Sequence, residues 1–197
     1  MNTYEKELPE GYRQVYHIDA ANKKTGAIFT IASLLPTAAV TALVFITASK
    51  KAVGTFLSFE GAWALFVLSL ILLAYIVLHE LVHGIAYKAL TREKLTFGLK
   101  WSCAFCGVPN IFVYRKTALI SLLAPFTVFS LLFASLSVYF GIIGSIWYLI
   151  FGVNFAFHLG GCCGDLYMSC LLLVKYKDSS LLMKDTGPEQ FLYVIEK

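Results

Sequence analysis

Residues 76–88 read IVLHELVHGIAYK. Apart from His79, Glu80 and His83 the stretch is apolar as far as Lys88, and the apolar run reaches back to residue 61. That is enough for a helix that crosses a bilayer, which takes about 20 residues. Titratable side chains inside such a helix are costly unless a partner or a metal meets them. Their spacing supplies a reason. Residues four apart share one helical face, so His79 and His83 present ring nitrogens toward one point. Glu80 stands beside them. The pattern is HExxH: two imidazole ligands for zinc, and a carboxylate placed to act as general base on water.

The apolar character extends through the chain. Of 197 residues, 58% are hydrophobic and 14% charged, with a mean hydropathy of +0.73. An average soluble domain is about 45–50% apolar and about 25% charged. Four segments are long enough to span a membrane: 27–49, 61–87, 117–140 and 145–174. Pro36 and Pro125 fall inside the first and third, where kinks are expected. The expected fold class is an all-α polytopic membrane protein with about four transmembrane helices. With the N-terminus in the cytoplasm, 14 of the 16 Lys and Arg residues lie on the cytoplasmic side and only Lys50 and Lys51 lie outside. The positive-inside bias therefore places both termini in the cytoplasm of a cell-membrane protein. Residues 1–26 then form a cytoplasmic segment, 27–175 the membrane-embedded domain and 176–197 a cytoplasmic tail. The first 25 residues are polar, so no cleavable leader is expected. The chain has no Arg-rich patch with interleaved aromatics, which argues against nucleic acid as a partner.

The link between the second and third spans, TREKLTFGLKWSCAFCGVPNIFVYRK, holds more than a linker. Leu95, Phe97, Leu99, Trp101 and Cys103 alternate with smaller or polar residues. CGVPN supplies turn residues and IFVY supplies strand formers. A small β-hairpin at the cytoplasmic surface is expected. Cys103 and Cys106 form a CxxC without the second pair that a zinc knuckle needs. All five cysteines read as reduced thiols packed as small hydrophobes.

HExxH needs a third ligand. The position six residues after His83 is Ala89, and Glu93 lies beyond the span. The fourth span offers Asn154, His158 and Asp165 within NFAFHLGGCCGDLYM. Depth separates these. At about 1.5 Å per residue, His83 and His79 lie roughly 8–14 Å from Lys88, and Asp165 roughly 15 Å from Lys175. His158 lies about 10 Å deeper. Depth favours Asp165, whose charge zinc would offset. His158 stays open as an alternative ligand, or is a hydrogen-bonded core histidine. Asn154 either donates a hydrogen bond to the oxyanion of an attacked carbonyl or bridges two helices.

HELVHG, the LLAPF run around Pro125, the Asn154 to Asp165 segment and KDTG in the tail together resemble the site-2 protease class of intramembrane zinc proteases. More closely, they resemble a bacterial membrane family of zincin-type peptidases of unknown function. The resemblance covers most of the chain after residue 60. It implies one zinc per chain on His79, His83 and Asp165, with Glu80 as catalytic base. It also implies hydrolysis of a membrane-protein or peptide substrate near the cytoplasmic face, within the lipid bilayer. Site-2 proteases carry an Asn, a Pro and then Leu-Asp-Gly. Here Asn154 is followed by no proline, and Gly164 precedes Asp165. The resemblance further implies that the hairpin offers an edge to which a substrate strand can add. The alternative is a non-catalytic metal-binding protein, or an inactive relative that acts as a binding partner. The intact HExxH and the scarcity of other titratable groups in the spans weigh against it.

Overall fold

The computed structural model describes residues 2–100 and 103–196. Strands β1 (Tyr4–Glu5) and β2 (Tyr12–Asp19) precede helix α1 (Lys23–Thr47). A short helix α2 (Lys50–Leu57) follows, its N-terminus capped by Ser49, whose hydroxyl accepts the Ala52 N–H at 3.1 Å. Helix α3 (Ala62–Thr91) carries HExxH. Strands β3 (Thr96–Lys100), β4 (Cys103–Gly107) and β5 (Phe112–Tyr114) lead into α4 (Arg115–Ile142), α5 (Trp147–Gly161) and α6 (Cys163–Cys170). Strands β6 (Leu182–Asp185) and β7 (Glu189–Ile195) close the chain.

Helices α1, α3 and α4 are each long and apolar enough to cross a membrane. A fourth span is possible if α5 and the helix from Cys163 to Lys175 count as one, bent by 43°. The break falls in GGCCG, where three glycines within five residues weaken the helix. The last turn, Leu171–Lys175, is π-helical. Pro36 and Pro125 lie inside continuous helices. Large apolar side chains such as Leu35 (78% exposed) and Ile46 (80%) point outward, as lipid-facing positions do.

An all-α fold with one hairpin was expected; the described residues instead form a mixed structure with seven strands. Five make one antiparallel sheet in the order β1-β5-β6-β7-β2. The N-terminal segment and the tail, read as two separate cytoplasmic pieces, thus share a sheet: Tyr12 pairs with Ile195 and Asp19 with Glu189. The hairpin between the second and third spans is present with different arms. It pairs β3 with β4, Thr96 opposite Gly107 and Lys100 opposite Cys103. The IFVY run, expected as its second arm, supplies β5 of the larger sheet instead. Trp101, part of the expected alternation, lies outside the described residues.

The chain forms two compact units. The first comprises Met1–Phe29, Leu78–Pro125 and Gly164–Lys197. Its core gathers Tyr87, Val113, Leu122, Met168, Met183 and Leu192 from helices and sheet alike. The second comprises Thr30–Val77 and Phe126–Cys163 and packs Val44, Ala64, Leu68, Leu149, Ile150 and Val153.

Candidate metal centre

Within the first unit, the HExxH turns lie near the C-terminal end of α3. That end is well defined. Arg92 takes a left-handed φ of 59°, and the Lys88 ammonium donates to the carbonyls of Arg92 and Glu93 at 3.0 Å. These carbonyls lie just past the helix, and a cation there suits its negative end. His79 and His83 are both buried, on one face as their spacing requires.

Asp165 enters from the first turn of α6, just past the glycine-rich break, with its side chain 20% exposed. Its Oδ2 lies 3.2 Å from His79 Nε2 and 3.3 Å from His83 Nε2. One donor atom from each of the three residues falls within 4.8 Å of the others. Zinc with bonds of about 2.0–2.1 Å in a tetrahedron holds its ligand atoms about 3.3–3.4 Å apart. The two observed separations are close to such an edge.

The histidine tautomer gives a second test of fit. His83 Nδ1 lies 2.8 Å from the Ser121 carbonyl on α4, to which it donates. A neutral imidazole with its proton on Nδ1 presents a lone pair at Nε2. That lone pair faces a carboxylate oxygen at 3.3 Å. A proton shared between the two atoms makes this approach favourable, and so does a metal ion bound to both. Ligating histidines commonly donate their other N–H to a backbone carbonyl in this way. The donor set therefore fits zinc.

Glu80, half-buried, accepts a hydrogen bond from the backbone N–H of Cys106 on β4. The hairpin reaches the helix because residue 84 is glycine: a Cβ there would stand 2.6 Å from Cζ of Phe97 on β3. Cys106 itself is a free, buried thiol, pushed up to about 12 mainly by burial.

Beside Glu80 and Asp165, this unit holds a buried carboxylate that the sequence reading does not single out. Asp185, at the end of β6, is buried and accepts the Tyr87 hydroxyl at 2.7 Å and the Gly187 N–H at 2.9 Å. Burial pushes its carboxyl up to about 6, against the opposing effect of those two hydrogen bonds. Tyr87 follows His83 by four residues, a periodicity visible in the sequence. The Ser121 carbonyl and the Cys106 N–H are backbone groups and leave no such trace.

Asn154 and His158 lie in the second unit, both buried on α5. Asn154 Nδ2 donates to the Ile150 carbonyl at 2.9 Å, while its Oδ1 has no partner among the described residues. His158 has both ring nitrogens occupied: the Tyr75 hydroxyl lies 3.0 Å from Nδ1 and the Ser130 hydroxyl 3.0 Å from Nε2. Phe126 and Phe155 stack against its ring.

No curated protein and no solved structure matches the chain. A model of the family described as "Putative zincin peptidase" matches residues 72–181. The match takes in His79, Glu80, His83 and Asp165 and covers more than half of the 197 residues. The chain belongs to that zincin peptidase family.

Proposed function

We propose that the protein is a membrane-embedded zinc metallopeptidase of the HExxH type, related in its chemistry to site-2 proteases. One zinc per chain is held by His79, His83 and Asp165. When bound, zinc supplies a water of lowered pKa and a Lewis acid for the scissile carbonyl. Glu80 takes the proton of the attacking water on its carboxylate and returns it to the leaving amine. The Ser121 carbonyl holds His83 in the tautomer that leaves Nε2 free to ligate. Asn154 is the candidate donor to the oxyanion. The substrate is a membrane protein or peptide, cut near the cytoplasmic face, with both termini of the enzyme on that side.

The observation that carries this function is the convergence of His79, His83 and Asp165 at separations that fit a zinc tetrahedron. Zinc content of the purified, untagged chain tests it. Wild type is expected to hold about one zinc, Glu80→Gln to keep it, and Asp165→Ala to bind at least ~100-fold more weakly, since even outer hydrogen-bond partners of zinc ligands are worth 10–100-fold. A zinc-free wild type would refute the function. Full retention in Asp165→Ala would refute the ligand set.

A further inference from the structure

Asp185 lies beyond the matched residues 72–181, in the KDTG of the tail, and has no role in the chemistry above. It nevertheless joins three pieces of the first unit. Its Oδ2 accepts the Tyr87 hydroxyl, one helical turn past His83 on α3. Its Oδ1 accepts the Gly187 N–H and shapes the β6–β7 turn. Its backbone carbonyl accepts the Val108 N–H at 2.8 Å, directly after β4. There the turn and the hairpin touch backbone to backbone: a Cβ on Gly107 would stand 2.3 Å from the Gly187 nitrogen. One residue earlier on β4 is Cys106, whose N–H binds Glu80.

Burying a carboxylate is costly, and an apolar pair of the same shape often stabilises a core better. What the carboxylate adds is direction, because its hydrogen bonds fix where each partner stands. Building on the zinc-peptidase function above, we propose that Asp185 is a positioning residue: it locks the C-terminal turn to α3 and to β4, and so sets the strand that aims Glu80 at the metal site. The tail is then part of the catalytic architecture, joined to the base by the path Tyr87, Asp185, Val108, Cys106, Glu80.

Two small ligands of the cobalt-substituted, full-length protein separate aiming from folding. Acetohydroxamate chelates the metal through two oxygens and shares its proton with a neighbouring carboxylate. Azide binds the metal alone. Both are followed through the visible cobalt absorption. Glu80→Gln calibrates the assay: losing a hydrogen bond to a charged group is expected to weaken acetohydroxamate by about tenfold or more, with azide changed by less than about twofold. Asp185→Ala is expected to show the same selective loss, within about threefold of Glu80→Gln. Tyr87→Phe removes one oxygen, keeps the ring in the core, and is expected to show a smaller loss of the same kind; it decides the matter if Asp185→Ala does not fold. Leu192→Ala opens the core beneath the same sheet and is expected to leave the ratio of the two affinities unchanged.

Acetohydroxamate affinity unchanged in both Asp185→Ala and Tyr87→Phe overturns the proposal. So does an equal loss of both ligands, or a ratio that shifts as far in Leu192→Ala. A wild type that takes up neither zinc nor cobalt overturns the zinc function, and this inference with it. Metal uptake with unaffected variants overturns this inference alone.

Discussion

Replacing Asp185 by asparagine removes a buried ionisable group while keeping its shape. Burial raises the Asp185 carboxyl from 3.8 to about 6. Tyr87 and Gly187 pull it down by hydrogen bonding, and the charges of His83 and Asp165 act in opposite senses. The native state therefore holds its proton more tightly than the unfolded chain does. Below pH 3 the group is protonated in both states and contributes no difference. Between pH 3 and 6 the unfolded chain releases the proton first, so native stability falls as pH rises. Above pH 6 the loss is complete. Each tenfold change in proton affinity is worth about 1.4 kcal/mol, so the total is roughly 3 kcal/mol. The asparagine variant carries no such slope at this position. Its altered hydrogen bonds impose a cost that is constant with pH. The stability difference, Asp185→Asn minus wild type, is thus expected to move in favour of the variant by roughly 3 kcal/mol between pH 3 and pH 7. Denaturant titrations of the zinc-free protein at four or five pH values measure it. A difference flat to within about 1 kcal/mol, or sloping the other way, refutes the assignment of Asp185 as a carboxylate whose burial outweighs its two hydrogen bonds.

Gly187 has a φ of +100°, and a Cβ there would lie 2.2 Å from the Phe105 ring, whereas Gly11, at φ +79°, has open space around it. Gly187→Ala is expected to lose roughly 3 kcal/mol or more and Gly11→Ala only about 1–2, by thermal or denaturant midpoint. Equal losses would show that the turn is not wedged against β4. Asn154→Leu removes a buried acceptor that has no partner among the described residues, so stability and zinc content are expected to hold or improve. An oxyanion role requires that cleavage of a substrate still drop by about 10²–10³ in that variant.

The helices and the candidate metal-binding residues were legible because their signals are local or nearly so. Apolar runs of membrane length announce themselves, and HExxH needs only five residues. Asp165 was reached across 86 positions only because two antiparallel spans share a depth scale. The sheet carries no comparable signal. β1 has two residues and β5 three, and each finds its partners far away in sequence. In β2, YRQVYHID mixes charge with aromatics, since three of its eight side chains, Arg13, Gln14 and His17, are exposed. The tail was legible in principle: LLMKD and EQFLYVI flank a turn that contains Gly187, a hairpin pattern that went unread. The IFVY strand was recognised but given the wrong partner. Propensity identifies a strand without saying which edge it joins.

The pairing of β2 with β7 has a consequence for how the chain is made. Synthesis runs at about 5–20 residues per second, so the N-terminal strand leaves the ribosome roughly 10–40 s before its partner exists. During that interval β2 is an open edge, and so is β5, which awaits β6. Neither can be completed by an unfinished chain. Chains that stop before residues 182–195 would leave the backbone of β2 unpaired. The same strands that hold the Asp185 turn thus pair one side of β2 and one side of β5, so the sheet reaches its final form only after β7 has been made.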